Sequence, residues 1–153
     1  MDLNKYRALF VDEAADHLTE MSRALSALES DGSDTREAVD TLFRMTHSIK
    51  GMAASLDYLS VSTLAHKLED WLEPMRREGR IPEGCLGLIY DVVQALEQMV
   101  AIVDGTGDAP PSRDDLLARL AEPVESTPRV PGVRDSTKKA RASLRPRSRE
   151  ASG

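Results

Sequence analysis

The chain has 153 residues, enough for one domain and an appendage, and a formal net charge of −6 that is unevenly placed. Residues 1–123 carry 12 Lys/Arg against 23 Asp/Glu, whereas residues 124–153 carry 8 against 3. The acidic body disfavours nucleic acid as a partner, the single Cys85 excludes an internal disulfide and a cysteine-based zinc site, and unbroken apolar runs stay far short of a membrane span. The first residues show no signal-peptide pattern, so the expectation is a soluble, cytoplasmic chain in a reducing compartment.

Apolar periodicity is helical almost throughout the first 121 residues. A first helix is expected from Leu3 to about Ser30, with Tyr6, Phe10, Ala14, His17, Leu18, Met21, Leu25 and Leu28 at steps of three and four; Asp31-Gly32-Ser33 stops it. Asp34, with Glu37 three residues later, is a capping-box-like start for a second helix over about Thr35–Leu56, whose core stripe is Val39, Leu42, Met45/Thr46, Ile49, Ala53 and Leu56. Ser60 or Ser62 is positioned to cap a third helix that reaches about Glu78 on Leu64, Leu68, Trp71, Leu72 and Met75, with Pro74 expected to kink it or end it early. Pro82 suits the first turn of a fourth helix to about Asp104, carried by Leu86, Ile89, Val93, Leu96, Val100 and Val103. After the loop Gly105–Pro111, Ser112 with Asp115 opens a short fifth helix through Leu116, Leu117 and Leu120. Beyond Pro123 the sequence is rich in Pro, Ser, Arg and Lys, and residues 124–153 are expected to form a disordered basic tail. No strand signal appears. Long amphipathic helices with short loops give an all-α chain: an antiparallel four-helix bundle over residues 1–123 with a short fifth helix.

The stretch His47-Ser48-Ile49-Lys50-Gly51 carries the chemistry. Residues at i, i+3 and i+4 share a helix face, so an imidazole, an ammonium and a gap sit together. At 100° per residue His47 points away from the core positions Met45 and Ile49, beside Phe43, Lys50, Gly51 and Ala54. A glycine inside a helix costs about 1 kcal/mol relative to alanine, and Gly51 would clear space over the ring for a large, anionic group such as a phosphoryl. If the second and third helices run antiparallel, His66 and Glu69 lie as far beyond the turn as His47 lies before it. Glu69 accepting the Nδ1 proton would fix the tautomer and leave the Nε2 lone pair free to attack phosphorus, with Lys50 offsetting the negative charge. Plainer readings stand beside this one: a solvated His–Lys pair, and Glu69 as a helix-surface partner of His66 three residues before it. His17 reads as a packing residue, Met21, Met45, Met75 and Trp71 as core, and Cys85 as structural. Without a His-x3-His pair or cysteine cluster, no metal site is expected.

These residues resemble a known family. Phe43-Arg44-Met45-Thr46-His47-Ser48-Ile49-Lys50-Gly51-Met52-Ala53-Ala54-Ser55-Leu56 is similar to the histidine phosphotransfer (HPt) domain, and more narrowly to the N-terminal phosphoacceptor domain of chemotaxis histidine kinases of the CheA type. His66-Lys67-Leu68-Glu69 and Phe10-Val11-Asp12-Glu13-Ala14 match that family's third-helix signature and its opening. The resemblance implies that His47 is the phosphorylated residue, that Glu69 hydrogen-bonds its ring, and that Lys50 and His66 support it. It implies a histidine kinase catalytic domain as phosphate donor and a CheY-like response-regulator aspartate as acceptor, with ATP and Mg belonging to those partner domains and no cofactor in this chain. The residues after Pro123 would begin a flexible linker, and the isolated chain would be a monomer. Asp57 stands where the family usually has glycine near the end of the histidine helix. No glycine-rich nucleotide loop occurs, so the chain is not expected to phosphorylate itself. A non-phosphorylated helical adaptor is the alternative; a phosphohistidine hydrolase or metal-dependent helical enzyme lacks the ligand motifs it would need.

Overall fold

The computed structural model describes residues 2–30 and 34–122; the stop at Asp31–Ser33 and the expected basic tail over 124–153 lie outside the described residues. Five helices follow one another among the described residues: α1 (Leu3–Leu28), α2 (Thr35–Ser55), α3 (Leu59–Glu78), α4 (Leu86–Thr106) and α5 (Asp114–Leu120). Asp2 caps α1 by accepting from the backbone N–H groups of Asn4 and Lys5, and Asp34 caps α2 by accepting from Glu37 N–H, the arrangement its spacing suggested.

Three other capping expectations are overturned. Helix α3 begins at Leu59, ahead of both serines, with no side-chain cap. Ser60 instead donates to the Pro110 carbonyl at 2.6 Å, and Ser62 to the Leu59 carbonyl. Pro82 lies in a turn before α4, where its carbonyl accepts from Cys85 N–H, and the helix starts four residues later. The Ser112 hydroxyl donates to the Asp114 carboxylate rather than to a helix amide, and Arg113 precedes α5. The serine hydroxyls each donate to an acceptor other than a helix-start amide, and Pro82 is used in a turn, choices that short-range capping rules do not weigh. Pro74 neither ends nor shortens α3, which runs on to Gly79 in a left-handed conformation (φ 72°). The carbonyl that loses its amide partner to the proline belongs to Asp70, on the solvent side, while Trp71, Leu72 and Met75 are buried and hold the helix down.

The turn between α2 and α3 is the tightest joint. Asp57 N–H donates to the Ala54 carbonyl and Tyr58 N–H to the Ala53 carbonyl, the paired bonds of a Schellman end. That motif needs a left-handed residue, and Asp57 supplies it at φ 62°. Aspartate tolerates this region because its short polar side chain can bond locally. Tyr58 is then driven inward against Phe10, ring centroids 5.3 Å apart. The departure at Asp57 therefore preserves the turn that glycine usually makes.

The helices pack as a four-helix bundle. Helix α2 lies most extensively along α3, α1 sits between α2 and α4, and α4 closes lightly on α3. Helix α5 covers that lighter seam, burying Leu116 and Leu120 and tying Arg119 to Asp91 at 2.9 Å. The core includes Phe10, Met21, Leu25, Leu42, Ile49, Leu64, Leu68, Leu72, Ile89 and Leu96, and burying each such side chain is worth about 1.5–3 kcal/mol. Thr46, not Met45, takes the central core place on α2; its hydroxyl is satisfied by the Leu42 carbonyl at 2.6 Å. Tyr6 keeps the apolar register but lies near the free end of α1 and is exposed. Helix α4 is long and apolar enough to cross a membrane by length and composition alone, and half of its apolar stretch is buried inside the bundle.

Replacing Asp57 with glycine should stabilise the fold by about 0.5–1 kcal/mol, because glycine adopts the left-handed conformation without a Cβ penalty. Chemical denaturation of the two proteins measures this; a destabilised Asp57→Gly variant would show that the aspartate side chain contributes a bond worth more than the strain.

Candidate functional site

Helix α2 presents His47 outward because Thr46 and Ile49 occupy the core on either side of it. The His47 side chain is 62 % exposed. Across the seam, Glu69 on α3 is almost wholly buried, unlike the surface residue of the plainer reading. The two meet: His47 Nδ1 lies 2.6 Å from Glu69 Oε2. Lys50, one turn beyond His47, places Nζ 2.7 Å from the other oxygen, Oε1. This second contact is a charge contact rather than an aligned hydrogen bond.

The electrostatics follow. Burial is the largest influence on Glu69 and pushes its carboxyl up, but the contacts with Lys50 and then His47 outweigh it and hold the group below its ordinary 4.5. The carboxylate is therefore ionised at neutral pH and can only accept, so Nδ1 carries the proton and donates. The other ring nitrogen, Nε2, is left as the lone-pair edge, and the ring's exposure leaves that edge open. A carboxylate at Nδ1 also favours positive charge on the ring as a bond forms at Nε2.

Gly51 lies one turn beyond His47, and a Cβ built on it would meet no heavy atom within 4 Å. The space over this face of α2 is open, as the glycine implied. His66 does not join the cluster: its Nε2 faces Asp70 Oδ2 at 3.7 Å, a half-exposed pair on α3 itself. His17 is half-buried on α1. Among the described residues no group of three or more His, Cys, Asp and Glu side chains is placed to hold a metal ion. The sequence reading overlooked Asp70, which stands at the helix-pair spacing from His66, and a second cross-helix cluster of Asp40, Phe43, Arg44 and Arg76.

A family model described as the Hpt domain matches residues 5–106. The chemotaxis protein CheA of Bacillus subtilis (strain 168) is 34% identical over 122 residues, covering 78% of this chain and 18% of that protein. Its counterpart in Halobacterium salinarum is 32% identical over 107 residues, covering 69% of this chain and 16% of that protein. The chain thus spans less than a fifth of the length of these relatives. The solved structure of the phosphorylated P1 domain of CheA3 in complex with CheY6 from R. sphaeroides matches with a TM-score of 0.72 at 24% identity, covering 81% of this chain and 98% of that chain; the likeness is one of fold.

Because the Glu69 carboxyl is held below 4.5, its stabilising contribution is complete above that pH and is lost as pH falls through the lower folded value. Glu69→Gln should therefore cost about 1 kcal/mol at neutral pH, and the gap to wild type should close in acid. Urea unfolding over a pH series measures the gap; one that stayed constant with pH would show that ionised Glu69 adds nothing to stability.

Proposed function

The chain belongs to the Hpt domain family, and we propose that within it the chain is a phosphohistidine carrier of chemotaxis-type two-component signalling. The observation that carries this reading is the pairing of an exposed His47 with a buried, ionised Glu69 at 2.6 Å. Glu69 holds the proton on Nδ1, and the Nε2 lone pair attacks the terminal phosphorus of ATP held by a histidine kinase catalytic domain. The bond to the bridging oxygen breaks and ADP leaves. A response-regulator aspartate then attacks the same phosphorus, the P–N bond breaks, and the electron pair returns to Nε2. ATP and Mg belong to those partner domains. Lys50 supports the carboxylate and lies close enough to the ring to offset phosphoryl charge; His66 has a lesser, flanking part.

Likeness to CheA relatives supports the kinase as donor, and the fold shared with a domain solved beside CheY6 supports a CheY-like acceptor. In this reading the chain is cytoplasmic, is monomeric in isolation, and is not an enzyme on its own: it supplies the nucleophile and its orientation, and the nucleotide chemistry comes from elsewhere. The adaptor alternative would leave the His47–Glu69 pair without a task.

The test is to incubate the chain with a CheA-type kinase core and ATP and to map acid-labile phosphate. His47→Gln should abolish uptake while leaving helicity intact, since the ring is mostly exposed; wild-type labelling in that variant would sink the assignment. Gly51→Ala is a second expectation. No atom opposes the added methyl, so the variant should be more stable by about 0.5–1 kcal/mol, yet pass phosphate to a regulator more slowly because the methyl stands where the partner approaches. Transfer at the wild-type rate would show that the partner does not use that space.

A further inference from the structure

We propose that Arg76 is a positioning residue: through Asp40 and the Phe43 ring it sets the register of α3 on α2, and so delivers Glu69 to His47. The geometry rests on α2 and α3 running antiparallel. Asp40 lies seven residues before His47, and Arg76 lies seven after Glu69. The Asp40–Arg76 contact is thus the His47–Glu69 contact repeated two turns along the same seam. Arg76 Nε donates to Asp40 Oδ1 at 3.1 Å. Its guanidinium carbon stands 4.5 Å from the centroid of Phe43, one turn before His47 on the same face. Asp40 is held from its own helix as well, accepting from Arg44 Nε at 2.8 Å. Glu73 lies 3.8 Å from the far side of the guanidinium.

The polarity of the two rungs makes this arrangement selective. At one, the acid is on α2 and the base on α3; at the other, the base and the imidazole are on α2 and the acid on α3. Sliding α3 by one turn of four residues would bring Arg76 opposite Arg44 in one direction and Arg36 in the other. The same slides would take Glu69 off His47, setting it opposite Gly51 or Phe43. An isolated exposed ion pair is worth little. Here the carboxylate is already ordered by Arg44 and the guanidinium lies against a ring, so less freedom is lost in forming the contact.

The consequence for phosphate uptake rests on the carrier reading; the consequence for the ring does not. The full chain, labelled with nitrogen-15, reports the His47 tautomer by two-bond proton–nitrogen spectra at a pH where the imidazole is neutral. Wild type should show one tautomer, with the proton on Nδ1. Arg76→Ala should mix the two tautomers and slow uptake from a kinase core roughly threefold to tenfold, the scale of one rung with its ring contact. Asp40→Asn, at a half-exposed site where folding is secure, should act in the same direction. Arg76→Lys, which keeps the charge and loses the planar fork, should recover part of both effects. Arg77→Ala, which removes the neighbouring charge, should change neither. An unmixed Nδ1–H tautomer in both Arg76→Ala and Asp40→Asn would overturn the proposal, as would slowed uptake with an unchanged ring. A wild-type chain that takes up no phosphate would sink the carrier reading instead, while the spectra still decide the role of Arg76.

Discussion

Everything at this site depends on one carboxylate that is both buried and charged. Ionised, Glu69 can only accept from Nδ1, and its burial lets that bond orient a ring that is otherwise exposed. Burial alone pushes its carboxyl up, because it penalises the charged form. The Lys50 ammonium at 2.7 Å is what resolves the conflict. It is itself only 28 % exposed, so the pair is sheltered from screening. The ammonium, with the imidazole, thus favours the negative carboxylate whatever approaches the ring.

The rest of the fold can be understood as holding two helices in fixed register around that carboxylate. The α2–α3 contact is the most extensive in the molecule, and the joint between those helices is the shortest. Its Schellman bonds and the burial of Tyr58 against Phe10 leave little freedom in how α3 departs. Helices α1 and α4 complete the core behind the pair. Helix α5 packs on both α3 and α4, and the Ser60–Pro110 bond ties the start of α3 to the segment that leads into it. His47 can sit on an exposed face and still be oriented, because the group that holds its ring is fixed from behind, by helices that the core immobilises.

How much of this was legible in the amino-acid order depends on the range of the interaction. Helical periodicity and the Asp34 cap are local, and α1 to α3 appear close to where the pattern put them. The meeting of His47 with Glu69 was also legible, because equal distances on either side of a tight turn become neighbours in an antiparallel pair. Caps at Ser60, Ser62 and Ser112 failed for a shared reason: a hydroxyl has several acceptors in reach, and the one chosen can lie on another element, as Pro110 does. Glu69's burial was hidden because a glutamate three residues after a histidine looks like ordinary surface decoration. Only the partner helix makes it interior. The Asp40–Arg76 rung was overlooked for a related reason. Acids and arginines are scattered over every helix here, and what distinguishes this pair is its matched offset from His47 and Glu69, which gains meaning once those two are known to touch.

The outward face of α2 follows a different logic from its inner one. Inside, Leu42, Thr46, Ile49 and Ala53 are fully buried, and each atom has a neighbour. Outside, around His47, the helix offers Gly51, Ala54 and Ser55 and open space. Gly51 forgoes about 1 kcal/mol of helix propensity relative to alanine, and the fold gains nothing in return, because nothing packs there. On the carrier reading proposed above, this face has to admit other proteins, and a site of that kind cannot be covered by its own side chains. Stability is therefore concentrated in the seam and the core, where it orients the ring, and withheld from the outward face around His47.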